Sequence, residues 1–152
     1  MTETVVRLKF QRRPAPVMAE HRPLYKICQI LLVLHLASRG GKSSLLRLHL
    51  FNWALKRSDR GQLLKMASDT KVLNVTAWGF DPALAIALRY AIAEKLIRTI
   101  STGYELTDTG KLLAVDVAKD QVVFGRDKTL LLSVGKNITE AMVDSVAKGW
   151  EA

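Results

Sequence analysis

The sequence predicts a mainly helical domain that carries a short β-hairpin and ends in a helical tail. Apolar residues recur at helical spacing through most of the chain, and proline, aspartate, serine or threonine stands where several helices would begin. Two short segments rich in β-forming residues flank a Thr-Gly turn. We expect a basic arm over residues 1–21, the domain over 22–120 and the tail over 121–152.

The first predicted helix follows Pro23 and ends at the stretch "SRGGKSS", residues 38 to 44. A phosphate-binding loop would need G-x-x-x-x-G-K-[ST], but Leu36 stands at the position of its first glycine. Gly40 and Gly41 suit the turn beyond a helix, and Ser43 or Ser44 suits the N-cap of the next one. We interpret the stretch as a corner between two helices.

Helix caps and glycines also predict where the later helices begin and end. Asp81 as N-cap and Pro82 at the first helical position predict a helix over 82–95, and Thr107 or Asp108 caps the helix after the hairpin. Gly135 divides the tail into two helices. The remaining predicted segments are a short helix in "SDRGQLLKMASD", an extended piece in "KVLNVTAW", and the hairpin strands "IRTIS" and "YELT".

The net charge of +9 is confined to the first part of the chain. Residues 1–60 hold 12 Lys and Arg against 3 acidic residues, whereas residues 61–152 hold 11 of each. Such a distribution predicts either contact with nucleic acid or an acidic protein, or a solvated basic face. The candidate phosphate contacts are Arg7, Lys9, Arg12, Arg13, Lys42 and Arg47.

Residue types that carry chemistry are sparse. The three histidines have no carboxylate or cysteine partner at ligand spacing, so we predict no metal, no cofactor and no catalytic centre. Cys28 is the single cysteine, which excludes an intrachain disulfide and favours a cytoplasmic location. Lys26 and His35 interrupt the longest apolar run, and "MTETVVRLKFQRR" lacks a continuous apolar segment. We therefore expect neither a membrane span nor a secretory signal.

The helix over 82–95 is apolar nearly all round. Leu84, Leu88, Ala91 and Ile92 are expected to fill one face. The opposite side then offers Ala83, Ile86, Ala87 and Tyr90, with Arg89 as the main hydrogen-bond donor. A helix that reads DNA would present more polar and basic side chains, so this pattern predicts contact with protein. The alternative is that the tail of the same chain covers the helix.

The second tail helix places Ile138, Met142 and Val146 on one face, and Trp150 continues that face. We expect Met142, Val146 and Trp150 to contact a partner, with Trp150 and Tyr90 as anchors. The alternative is that Trp150 closes the core of its own chain.

Two resemblances extend this interpretation. The pattern Tyr104-x-Leu106-Thr107-x-x-Gly110-x-x-Leu113, set after a helix and a hairpin, resembles the wing of winged-helix proteins. It implies a winged-helix-like domain whose wing is the hairpin. Because this pattern occurs in families with different functions, it is stronger evidence for the fold than for the function.

A more particular resemblance covers about residues 22 to 118. The stretches "RPLYKICQILLVLHL", "SSLLRLHLFNWAL", "WGFDPALAIALRYAIAEKLI" and "YELTDTGKLL" resemble the small middle component of bacterial three-component ABC-ATPase systems, the Lamassu group among them. These systems pair an SMC-like or RecN-like ATPase with an effector and are linked to defence against phages and plasmids. The resemblance implies a non-catalytic accessory subunit. The alternative is a winged-helix transcriptional regulator that binds DNA through the basic front half.

Overall fold

The structure, a computed structural model, describes residues 22–151. This part of the chain is mainly helical with a small antiparallel sheet, as predicted. The helices are α1 (Pro23–Leu36), α2 (Leu45–Leu55), α3 (Ser58–Thr70), α4 (Pro82–Ala93), α5 (Asp108–Lys119), α6 (Gly125–Val134) and α7 (Glu140–Lys148). The strands are β1 (Lys42–Ser43), β2 (Ile97–Ile100) and β3 (Gly103–Leu106).

The stretch "SRGGKSS" forms a corner between α1 and α2, which confirms the interpretation from sequence. Gly40 and Gly41 have φ values of 61° and 69°, in the left-handed region that side chains disfavour. Ser44 then caps α2, because its Oγ accepts a hydrogen bond from the Arg47 backbone N–H at 3.1 Å. A two-residue strand, β1, lies inside the corner, and it is too short to leave a sequence signal.

The three strands pair in the order β1-β3-β2, so the predicted hairpin gains a third strand from the corner. Lys42 lies opposite Glu105, and Ile97 lies opposite Leu106. Gly103 has φ 147°, and a Cβ there would lie 2.2 Å from the Ser43 carbonyl oxygen. Only glycine allows the two strands to approach so closely.

The predicted caps of α4 and α5 are confirmed. Asp81 Oδ1 accepts from the Ala83 N–H at 2.9 Å, with Pro82 at the first helical position. Thr107 Oγ1 accepts from the Gly110 N–H at 3.0 Å.

The segment "KVLNVTAW" was expected to be extended but carries no regular secondary structure. Its apolar side chains Leu73, Val75 and Trp78 are buried all the same. Trp78 Nε1 donates to the Leu46 carbonyl at 3.0 Å. Leu73, Val75 and Trp78 therefore pack against the core without pairing with a strand, and Trp78 bonds to α2.

One hydrophobic core is shared by the domain and the tail. Helix α1 crosses its centre and packs against α2, α4, α5 and α6, and its Leu31, Leu32 and Leu34 have no solvent exposure. The tail residues Leu131 and Val143 belong to the same core. In the part of the chain that the structure describes, no helix combines the length and apolarity that crossing a membrane requires.

Candidate interaction surfaces

The outer face of α4 exposes apolar side chains. Ile86 is 40% exposed and Tyr90 is 52% exposed, and Arg89 lies beside them in solvent, as predicted. Two predictions for this helix are wrong, since Ile92 is 37% exposed and Ala87, expected on the outer side, is fully buried.

The composition of the buried face of α4 shows where these two residues lie. The buried face of α4 consists of Leu84, Ala87, Leu88 and Ala91. This face packs against α1, and Ile92 lies at its edge.

A buried polar network positions the start of α4. Lys26 is 1% exposed, and its Nζ donates to Asn52 Oδ1 at 2.6 Å and lies 3.6 Å from Asp81 Oδ2. Asn52 Nδ2 donates to the same Asp81 oxygen at 3.0 Å, and Lys56 Nζ lies 3.0 Å from it. The residue that caps α4 is thus held by two lysines and an amide.

These contacts set the charge state of Asp81. Burial acts to raise the pKa of its carboxyl group, but the hydrogen bonds from Asn52, Lys56 and the Ala83 N–H, together with the charge of Lys26, outweigh burial and hold that pKa well below its usual range. Asp81 is therefore a carboxylate throughout the neutral pH range, and α4 begins at a negative charge that suits its positive N-terminus.

The tail face packs largely on its own chain. Met142 and Val146 are half-buried against the core, so part of each side chain is used within the chain, and their contact with a partner stays a prediction. Trp150 Nε1 donates to the Thr76 carbonyl at 2.6 Å, and its ring stands edge-on to Trp78 at 4.9 Å between centroids. Trp150 remains 44% exposed, so it contacts its own chain and also leaves apolar area in solvent.

The candidate phosphate contacts divide into three groups. Lys42 is exposed, with its Nζ 4.0 Å from Glu105 Oε2. Arg47 is only 3% exposed and donates to Ile138 O at 2.7 Å and to Ser38 Oγ at 2.8 Å, so its guanidinium group is bound within the chain, and its contact with phosphate stays a prediction. Arg7, Lys9, Arg12 and Arg13 lie outside the described residues.

Sequence reasoning did not find a cleft at the corner between α1 and α2. This corner cleft has a volume of about 590 Å³, and its charged rim is formed by Arg39, Lys42, Lys136, Glu140 and Asp144. The rim joins residues about a hundred positions apart in the chain. No local sequence signal could have brought them together.

Between residues 22 and 151, no three His, Cys, Asp or Glu side chains are grouped in a way that could hold a metal ion. Burial lowers the pKa of His35, and the charges of Lys111 and Lys136 lower it further. Burial raises the pKa of the Cys28 thiol, which favours the unreactive protonated form.

Comparisons with protein-family models, with curated proteins and with solved structures find no match to this chain.

Proposed function

We propose that this chain is a non-catalytic accessory subunit that bridges an SMC-like or RecN-like ABC ATPase and an effector in a bacterial antiphage or anti-plasmid defence complex. The outer face of α4 carries the proposal, because a helix that exposes Ile86, Tyr90 and Ile92 offers apolar area for another protein. Residues 22–118 supply the resemblance to the middle component of such systems.

We propose a winged-helix-like architecture for the domain. The order α1, β1, α2, α4, β2, β3 and the strand order β1-β3-β2 support this proposal, with α3 as an insertion. In that architecture α4 is the helix before the wing, the place where DNA-binding members carry their recognition helix.

The chemistry of that helix favours a protein partner. Recognition of base edges needs donors and acceptors such as Arg, Lys, Asn or Gln. On the outer face of α4, Arg89 stands among Ile86, Tyr90 and Ile92. Tyrosine combines a large apolar ring with a polar tip, and it is frequent at the energetic centres of protein interfaces.

Co-purification with the SMC-like or RecN-like ATPase that the proposal requires among the neighbouring genes tests it. We expect Tyr90→Ala to weaken the complex by about 2 kcal/mol, which is more than tenfold in affinity. Leu112→Ala is the matched control, because Leu112 is 71% exposed on α5, and we expect it to have no effect. Equal retention of the ATPase by both variants would contradict the proposal, as would the lack of such an ATPase among the neighbouring genes.

The second candidate is a DNA-binding transcriptional regulator, and the +9 charge of the chain favours it. Under our proposal, DNA binding through the basic front half is indifferent to sequence, falls steeply with salt and is insensitive to Arg89→Ala. A site-specific footprint that Arg89→Ala removes would establish the regulator.

A further inference from the structure

The irregular segment over residues 72–81, which leads into α4, is attached to α2 at two points. At one point, Trp78 Nε1 donates to the Leu46 carbonyl at 3.0 Å. At the other, the Asp81 carboxylate accepts from Asn52 Nδ2 at 3.0 Å. The segment and α2 therefore meet along the stretch of helix between Leu46 and Asn52.

His49 lies midway along this stretch and provides a third contact. It is 5% exposed, and the ring of Phe80 packs on its imidazole with 4.8 Å between the centroids. The backbone N–H of Asp81 donates a long hydrogen bond to His49 Nδ1, at 3.4 Å. Because Nδ1 accepts, it carries no proton, and the neutral imidazole has its proton on Nε2.

The Nε2 atom of His49 is a buried donor without an acceptor. Among the buried side chains between residues 22 and 151, it is the polar atom that has no hydrogen-bond partner. Buried polar groups are nearly always paired, since an unpaired one loses its bonds to water without a replacement. An apolar side chain would fill the same space without that cost. Filling space therefore does not by itself account for a histidine here.

A second proton on His49 has no place in this arrangement. It would sit on Nδ1 and point at the Asp81 N–H, so that two donors would face each other. Nor can the nearby carboxylate readily pair with the imidazolium, because Lys26 Nζ and Lys56 Nζ already lie 3.6 Å and 3.0 Å from Asp81 Oδ2. Burial lowers the pKa of His49, the Asp81 carboxylate raises it, and the charge of Lys56 lowers it, with a net decrease.

We propose that His49 makes the contact between residues 72–81 and α2 sensitive to pH. While the imidazole is neutral, it accepts from the Asp81 N–H and the segment stays on α2. When the ring takes a proton from solvent, the imidazolium reaches water only if Phe80 and the Asp81 backbone move away from it. The segment then opens at this end, and the start of α4 moves with it.

The opening occurs in acid. An imidazole exposed to solvent has a pKa of about 6.5, whereas the closed form holds the pKa of His49 below its ordinary value. The open form therefore binds the proton more readily, and its population rises as the pH falls below about 6.5, by up to about tenfold per pH unit. Above that pH neither form is protonated, and His49 favours the closed form fully. Asp81 stays ionised in this range, because its own pKa is well below its usual range.

Nitrogen-15 NMR of the full wild-type chain tests the tautomer and the titration. At a pH of about 7.5 we expect His49 to carry its proton on Nε2 and none on Nδ1. Its pKa should lie below the ordinary histidine value. Hydrogen exchange of the Asp81 amide, corrected for the intrinsic exchange rate, should speed up by up to about tenfold for each pH unit below about 6.5.

His49→Asn separates the proton from the hydrogen bond. The amide oxygen of asparagine can accept from the Asp81 N–H in place of Nδ1, but the amide does not take up a proton in this range. We expect the corrected exchange of the Asp81 amide in this variant not to depend on pH between about 5 and 7. His35→Asn is the matched control, because it removes a partly buried histidine on α1 whose pKa is also lowered, and it should keep the wild-type dependence.

The proposal is overturned if His49 carries its proton on Nδ1, if its pKa is not lowered, or if His49→Asn keeps the wild-type pH dependence. The first two results come from the wild type, so they decide the matter even if the variant folds poorly. All of these measurements use the chain without a partner. The result is therefore independent of the proposed subunit role.

Discussion

Lys26 shows what single residues contribute to this fold. A lysine almost without solvent exposure is tolerated only when its charge is compensated, and Asp81 and Asn52 provide that compensation. The same Asp81 carboxylate caps α4, the helix that carries the candidate partner surface. One side chain therefore both balances the buried charge of Lys26 and fixes the start of α4.

We expect Asp81→Asn to destabilise the protein by about 3 kcal/mol at pH 7, because asparagine can still cap α4 but removes the carboxylate that lies 3.6 Å from the buried Lys26 ammonium group. The folded-state pKa of Asp81 is depressed, so its stabilising effect is present above the unfolded pKa of about 4 and declines as the pH falls below it. The melting temperatures of wild type and variant should therefore converge in acid.

Asp59→Asn is the control for that comparison. It removes an exposed carboxylate that is paired with Arg57 at 2.9 Å, and we expect the melting temperature to change little. Equal melting temperatures for Asp81→Asn and wild type at pH 7 would show that the buried network does not stabilise the fold.

At the scale of elements, the contact between α5 and the hairpin depends on one glycine. Gly110 lies in the first turn of α5, where a Cβ would stand 1.9 Å from the Leu96 carbonyl oxygen. That oxygen accepts hydrogen bonds from the Thr107 N–H at 3.1 Å and from Thr107 Oγ1 at 3.0 Å. The helix thus begins directly against the chain entering β2, and the wing pattern has glycine at this position for steric reasons.

We expect Gly110→Ala to cost about 3 kcal/mol of stability, because relieving the clash must move α5 away from Leu96 and strain both hydrogen bonds of Thr107. Thermal unfolding followed by circular dichroism measures this cost. Gly79→Ala is the matched substitution at a site where the added Cβ meets nothing within 4 Å, and it should leave the melting temperature nearly unchanged. Similar effects of the two substitutions would contradict the steric explanation.

At the scale of the whole molecule, the tail is part of the folded body. Leu131, Val134, Ile138 and Val143 share the core with α1, and Trp150 joins the end of the chain to the irregular segment that covers α2. The chain end is held by an indole N–H bond to Thr76 and by the contact with Trp78. The tail therefore stabilises the domain whether or not a partner is bound.

We expect Trp150→Ala to lower the stability of the isolated protein by about 2 kcal/mol, from loss of one aromatic contact and one hydrogen bond. Tyr90→Ala removes an aromatic side chain of similar exposure that makes no ring contact with the rest of residues 22–151. We expect that substitution to change stability by less than about 0.5 kcal/mol. Calorimetric melting of the two variants measures both changes in stability. A larger loss for Tyr90→Ala than for Trp150→Ala would contradict the structural role of Trp150.

The sequence by itself determined the features that act over a few neighbouring residues. Asp81 and Pro82 begin α4, Thr107 caps α5, and the Gly40–Gly41 corner follows from residues within one or two turns of each other. Capping and glycine conformations are local, so the same residues predict them in any context.

Only the tertiary structure decided which surfaces are covered and which charges meet. Ile92 is exposed at the edge of the face that α4 packs against α1, and Arg47 is buried because the corner and the tail close over it. The contact of Glu140 with Ser44 spans 96 residues. Such arrangements depend on how whole helices pack, since burial and electrostatic contact are set by neighbours in space that the order of residues along the chain does not specify.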